Sequence, residues 1–206
     1  MKKIILCVFC FISISKIYPQ AINKGDRLFG GAFSFSVFNS NNNGLNYSNV
    51  GNAGFFPTYG WALKNDLVFG IRGFINYEHS EWLNTPTDKN TRNIFSLGPG
   101  LFLKKYKLLK NKFGIYLNNE VSGNYSTSKQ KSTNFPDYMR SHWWGVAFNL
   151  NPGVFYKFSE NFFGEGNIGG LSAYYSKNST IKNGGVSASF LQYFNLGINY
   201  RIAKNK

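Results

Sequence analysis

Phe113-Gly114-Ile115-Tyr116-Leu117-Asn118-Asn119-Glu120-Val121-Ser122-Gly123-Asn124-Tyr125 is the stretch that decides the fold. Phe113, Ile115, Leu117, Val121 and Tyr125 share one parity, while Gly114, Tyr116, Asn118, Glu120, Ser122 and Asn124 share the other. Side chains on a strand alternate between its two faces, so a period of two predicts a strand with one apolar and one polar side. Similar alternation recurs along the chain in segments of roughly ten residues, the length a tilted strand needs to cross a bilayer. Such apolar faces are too many and too evenly spaced to share one buried core. They can instead form the outside of a closed sheet facing lipid.

Working outward from that stretch, eight segments emerge. The first runs from Leu28 to Phe38, with Phe29, Phe33, Phe35 and Val37 outward. Residues 52–63 place Phe55, Pro57, Tyr59, Trp61 and Leu63 outward, and 67–78 place Phe69, Ile71, Ile75 and Tyr77 there. Segment four, 93–103, turns Phe95, Leu97, Leu101 and Leu103 out, and 113–125 is the fifth. Segments six, seven and eight cover 142–158, 162–174 and 187–202; their outward residues include Trp144, Val146, Phe148, Ile168, Tyr174, Phe194, Leu196 and Ile198. Polar stretches at 39–50, 79–92, 127–141 and 175–185 read as long loops. Lys64-Asn65-Asp66, the basic run 104–112 and Ser159-Glu160-Asn161 read as short connections.

Long and short connections therefore alternate. The fold class that fits is all-β: an eight-stranded antiparallel up-and-down transmembrane β-barrel with long loops outside the cell and short turns in the periplasm. An even strand count puts both termini in the periplasm, and the expected location is the outer membrane. Met1-Lys2-Lys3 followed by the apolar run Ile4–Ile14 reads as a secretory signal, too short to span a membrane. Residues 1–21 are taken as that signal and 22–206 as one barrel domain. Both cysteines, Cys7 and Cys10, lie within the signal, so the domain offers no disulfide or thiolate.

The formal net charge is +14, and still about +11 without Lys2, Lys3 and Lys16. Such basicity favours an anionic partner. No arginine-rich segment or recognition helix accompanies it, so nucleic acid is not expected as partner; a basic rim against lipid head groups fits better, and lysines that simply solvate the hairpin tips fit better still. Aromatic residues make up 18% of the chain, which suits girdles of Trp and Tyr at the membrane interfaces.

Inner parity collects the strand charges Arg72, Glu78, Glu120, Glu165 and Arg201. An eight-stranded barrel is just wide enough for side chains to fill. Unpaired charges there are costly, so the expectation is a polar plug with Arg72 paired to Glu120 and Glu165 paired to Arg201. A narrow channel or ligand-binding barrel is the alternative, and it requires a lumen cleared of bulky inward residues such as Phe102, Tyr116 and Phe163. An enzymatic reading would need a surface Ser-His pair. The candidates are His79 beside Ser80 and His142 beside Ser141; adjacent strand residues point to opposite faces, so His79 and Ser80 cannot converge unless their segment is already loop, and no catalytic motif surrounds either pair. No catalytic residue, cofactor or metal is expected, with two distant histidines and no cysteine to hold an ion.

Several short motifs also resemble a known family. Asn23-Lys24-Gly25-Asp26-Arg27-Leu28-Phe29-Gly30-Gly31 resembles the start of the outer-membrane β-barrel domain proteins of Bacteroidota. So do Pro57-Thr58-Tyr59-Gly60-Trp61 with Lys64-Asn65-Asp66-Leu67, and Asn151-Pro152-Gly153-Val154 with Ser159-Glu160-Asn161. The closing Phe194-Asn195-Leu196-Gly197-Ile198-Asn199-Tyr200-Arg201 is similar to that family's last strand. The resemblance implies a small eight-stranded barrel of the outer-membrane-protein A and X type, non-enzymatic, with structural or surface-interaction roles. Expected partners are outer-membrane lipid and lipopolysaccharide, the barrel assembly machinery reading Tyr200 in place of a terminal aromatic, and an extracellular ligand or protein at the four long loops.

Overall fold

The computed structural model describes residues 20–42, 46–85, 88–134 and 139–204. The signal segment therefore lies outside the described residues, apart from Gln20 and Ala21. The strands are β1 (Arg27–Asn42), β2 (Asn46–Lys64), β3 (Leu67–Thr85), β4 (Asp88–Leu108), β5 (Phe113–Ser132), β6 (Met139–Lys157), β7 (Phe162–Lys177) and β8 (Lys182–Ile202). Each pairs antiparallel with its sequence neighbours, and β8 returns to β1, closing the sheet into an eight-stranded barrel. Closure runs from Arg27↔Ile202 to Phe33↔Leu196. Over that stretch the closure leaves neither strand with a free edge.

Parity holds as read except beyond the bulge in β7. Phe29, Phe33, Phe35, Val37, Ile71, Leu101, Val121, Val146 and Ile198 are all exposed on the outside, while Leu28, Val68, Phe102, Tyr116, Phe155 and Phe163 are buried inside. For Phe194 and Asn195, expected outward and inward, the side chains lie outside the described residues.

Two corrections concern the connections. The stretches 39–50, 79–92, 127–141 and 175–185 are largely strand: β3 continues to Thr85, β5 to Ser132, and the ladder between β1 and β2 reaches Asn42↔Asn46. Strands of 16 to 21 residues greatly exceed the roughly 9–11 needed to cross hydrocarbon. Beyond the apolar band both faces of a strand meet water, so polar residues continue it without apolar contrast. The basic run 104–112 likewise shortens, because β4 extends to Leu108 and only 109–112 form the turn.

A third correction concerns Tyr174, expected outward. It pairs with Ala147, an inner residue, and lines the upper lumen with Asn76 and Asn124. A register shift between Asn167 and Gly169 against β8 and between Leu150 and Gly153 against β7 marks an irregularity there. Gly169 adopts a φ of 115°, open chiefly to glycine, and a bulge of this kind re-aims the residues that follow.

At the short-turn end, β2 passes into β3 through Asp66, whose φ of 60° lies in the left-handed region that Asp tolerates better than most residues. That turn also anchors the incoming chain. The Ala21 and Ile22 amides donate to Asp66 Oδ1 at 2.8 and 3.0 Å, and the Asp66 amide donates to the Ile22 carbonyl at 3.0 Å. Ala21 and Ile22 are buried as a result and close the barrel from below.

Candidate functional site

The interior divides into an aromatic floor and a polar chamber. Even residues of β4 point inward beyond Gly100 and deliver Phe102, Lys104, Tyr106 and Leu108 to the lower lumen, all buried. Tyr106 packs edge-on against Phe155 (5.4 Å between ring centroids) and Phe163 (6.0 Å), and tilted against Tyr116 at 6.0 Å. Small inner residues make room for these rings. A Cβ at Gly153 would overlap the Tyr116 ring, and one at Gly114 would overlap Phe155. Rings fill the waist, and the N-terminal segment closes the lumen below them.

Above the rings lies a cavity of about 410 Å³, lined by Asn118, Asn149, Asn151, Asn167 and Asn199 together with two ion pairs. Arg72 Nη1 meets Glu120 Oε2 at 2.5 Å, as the sequence predicts, and the guanidinium lies over the Phe56 ring at 4.6 Å. Glu165 pairs instead with Lys104: Nζ to Oε2 is 2.6 Å, and the Tyr106 hydroxyl donates to Oε1 at 2.5 Å. Lys104 Nζ also sits 4.9 Å from the Tyr116 ring centroid. The expected Glu165–Arg201 pair does not form. Glu165 stands opposite Gly197 on β8, four residues from Arg201, or about 13 Å along a strand. Arg201 lies lower, where Nη1 approaches Asp26 Oδ2 at 3.8 Å and donates to the Ala21 carbonyl at 3.4 Å. Glu78 is on the inner parity of upper β3, half-buried, opposite Asn52 and Ile94, and joins no ion pair among the described residues.

Lys104, Tyr106 and Asp26 are thus site residues that the sequence reading misses. Lys104 is grouped there with the turn lysines, although it continues the even parity of Ser96, Gly98 and Gly100. Extending that count by two residues would have found it. Each buried charge has an opposite partner, which is what a low-dielectric lumen demands. Two buried polar atoms, Asn118 Oδ1 and Arg201 Nε, have no partner among the described residues.

Electrostatics outside the barrel wall centre on Asp66. Burial holds its carboxyl above the usual range, while the donors Ile22 and Ala21 and the charge of Lys157 pull it back. The two histidines lie on the outside. His79 Nδ1 contacts Asn93 Oδ1 at 2.6 Å, and His142 Nδ1 contacts the Tyr125 hydroxyl at 2.8 Å. Ser80 turns inward and donates to the Arg92 carbonyl at 3.4 Å, on the opposite face from His79. The Ser141 hydroxyl accepts from Trp143 Nε1 at 3.3 Å. Among the described residues no group of three or more His, Cys, Asp or Glu is placed to hold a metal ion.

No family model matches the chain, and no curated protein matches it. Solved structures do. The attachment invasion locus protein Ail of Yersinia pestis aligns at 16% identity over 87% of this chain and 99% of its own, with a TM-score of 0.44. Neisserial surface protein A aligns at 16% identity over 87% of this chain and 98% of its own, with a TM-score of 0.47. The outer membrane protein OprG from Pseudomonas aeruginosa aligns at 15% identity over 90% of this chain and all of its own, with a TM-score of 0.45. The assignment as a barrel rests on the strand ladder itself.

Proposed function

We propose that this chain is a non-enzymatic outer-membrane barrel whose lumen is a structural plug and whose interactions take place on its outer surface and at its long hairpins. The observation that carries this reading is the combination of an apolar exterior with an occluded interior. Phe33, Phe35, Leu196 and Val186 are more than 60% exposed, which water would not tolerate around a whole barrel. Inside, Tyr106, Tyr116, Phe155 and Phe163 leave no room for a pore. The channel alternative needs those positions cleared, so it is disfavoured.

Orientation follows from the same features. Short turns, the docked N-terminal segment and the end of β8 share one side, which is assigned to the periplasm, with an export signal that ends before Ala21, since Ala21 is docked on the Asp66 turn. The Bacteroidota resemblance of the turn and strand motifs fits this assignment. The long hairpins, around 39–50, 79–92, 127–141 and 175–185, then face outward as the surface available to a ligand or protein. Lys89, Lys129 and Arg140 are exposed near these ends and suit anionic lipid head groups, lipopolysaccharide among them. Tyr200, on the outer face of β8, is the residue offered to the barrel assembly machinery.

The test is fractionation and electrophysiology on the expressed protein. Recovery in the outer membrane with heat-modifiable gel mobility, and planar-bilayer conductance at background, are the expected results. Recovery as a soluble periplasmic protein, or large reproducible conductance steps, would overturn the proposal.

A further inference from the structure

Gly and Pro are poor strand residues, and Pro has no place in the middle of a sheet except at edges or bulges. This closed barrel nevertheless sets five of them in one row on its outer face. Gly31 on β1 pairs with Pro57 on β2, and Gly73 on β3 pairs with Pro99 on β4. Flanking pairs Phe55↔Ile75 and Thr58↔Arg72 bring Pro57 opposite Gly73, and Leu97↔Tyr125 and Gly100↔Ser122 bring Pro99 opposite Gly123 on β5. The ladder is interrupted at both prolines. Five adjacent strands thus lack an outward side chain larger than a pyrrolidine ring at the same level.

The consequence is a groove of about 920 Å³ in the apolar exterior. Its lower wall is Tyr59, Ile71, Leu101 and Val121; its upper wall includes Ile75 and Leu97. The row ends where it reaches Val146 on β6, an exposed aliphatic residue. The Phe55 ring lies against Gly31, so the floor runs from Pro57 to Gly123, three inter-strand spacings or about 14 Å, and the wall residues on each strand are about 13 Å apart between Cα atoms before their side chains narrow the gap. A helix of 10–12 Å diameter cannot enter so narrow a slot. A single hydrocarbon chain can.

We infer that this row is a binding groove for one acyl chain of a bilayer lipid. Glycine and proline there are costly to the sheet, and a ligand approaching the backbone closely gives a reason for both. At its upper end the groove stops just short of Tyr125, whose ring packs on Trp144 at 4.6 Å and whose hydroxyl meets His142. Such an aromatic cluster marks the membrane interface, so the chain enters from the leaflet on the long-hairpin side and descends toward Pro57.

The inference rests on the membrane-spanning reading, and flotation with vesicles tests that reading separately. The protein is reconstituted into phosphatidylcholine vesicles containing a phospholipid with a mid-chain diazirine, irradiated, digested and mapped by mass spectrometry. Adducts several-fold more frequent on Ile71, Ile75, Leu97, Leu101 and Val121 than on Phe148, Val154 and Ile198 are expected. Gly123→Leu fills the slot at a position where an added Cβ meets nothing nearer than the Gly145 carbonyl at 4.0 Å, and it should abolish that enrichment. Equal labelling of the two faces, enrichment that survives Gly123→Leu, or a groove shielded from lipid by a second copy cross-linked there would each overturn the inference. If Gly123→Leu does not assemble, the wild-type map decides alone. Protein that fails to float refutes the membrane reading and the groove together, whereas protein that floats with even labelling refutes the groove only.

Discussion

Replacing Glu165 by Gln leaves the shape of the lumen intact and removes one charge. Glu165 is buried, and its two oxygens are taken by Lys104 Nζ at 2.6 Å and the Tyr106 hydroxyl at 2.5 Å. The amide still accepts from Tyr106, but Lys104, itself buried, loses its only carboxylate partner among the described residues. Removing one member of a buried pair typically costs about 3–5 kcal/mol, because the other charge is left in a poor solvent. The rings of Tyr116 at 4.9 Å and Phe102 at 5.5 Å soften that penalty by about 1–2 kcal/mol through cation–π attraction. The expected loss is therefore about 1–4 kcal/mol. Removing both charges in Lys104→Met with Glu165→Gln should recover most of it, since an apolar pair of similar volume is often neutral. Urea unfolding in detergent micelles, followed by the heat-modifiable gel shift, measures all four corners of the cycle. A Glu165→Gln protein as stable as wild type, or a double variant no better than the worse single, would falsify the view that charge pairing holds the plug.

Further consequences are open to direct measurement. Arg72→Leu should destabilise by leaving Glu120 buried without its ion pair, and Arg72→Leu with Glu120→Gln should regain most of the loss, read as urea midpoints. Gly153→Ala forces a Cβ into the Tyr116 ring and should lower stability by about 1–3 kcal/mol as an overpacking defect, seen as an earlier melting transition. Truncating Tyr106 and Phe155 together to Ala removes two of the four rings of the waist and should lower the melting transition, while planar-bilayer conductance stays at background because Tyr116, Phe163, Ala21 and Ile22 still close the lumen. Because burial raises the folded carboxyl of Asp66, the native state holds that proton to higher pH than the unfolded chain, whose value is near the ordinary 3.8. Its contribution to stability accordingly declines as pH rises from about 3.8 through the folded value. Asp66→Asn keeps an acceptor for the Ala21 and Ile22 amides and should flatten that part of the urea midpoint–pH curve.

Legibility in the sequence tracks where two environments differ. Between Leu28 and Tyr125 the lipid side and the lumen side impose opposite polarity on adjacent residues, so parity can be read almost residue by residue. The same logic puts Arg72 and Glu120 on the inner parity, where opposite charge suggests the pair that forms. It falters where contrast fades. In the hairpin extensions both faces are wet, and polar strands such as 127–132 and 79–85 look like loop. Lys104 escapes notice because a lysine beside Lys105 and Lys107 suggests a solvated turn, although its face is set by parity. The Glu165–Arg201 expectation fails for a different reason: parity fixes the face but not the height, which depends on the register of β7 against β8. Tyr174 fails because a bulge at Gly169 resets parity, and a lone glycine in a strand does not announce whether it bends the chain.

The central claim is that one parity of this sheet faces lipid and the other a closed, polar interior. Spin labels placed singly along 113–125, with Cys7 and Cys10 replaced, test it in reconstituted vesicles by comparing accessibility to oxygen with accessibility to a polar nickel reagent. The account predicts a period of two, with oxygen favoured at Ile115, Leu117 and Val121 and both reagents poorly admitted at Tyr116, Asn118 and Glu120. Uniform accessibility, or a polar reagent reaching Asn118 and Glu120 freely, would contradict it.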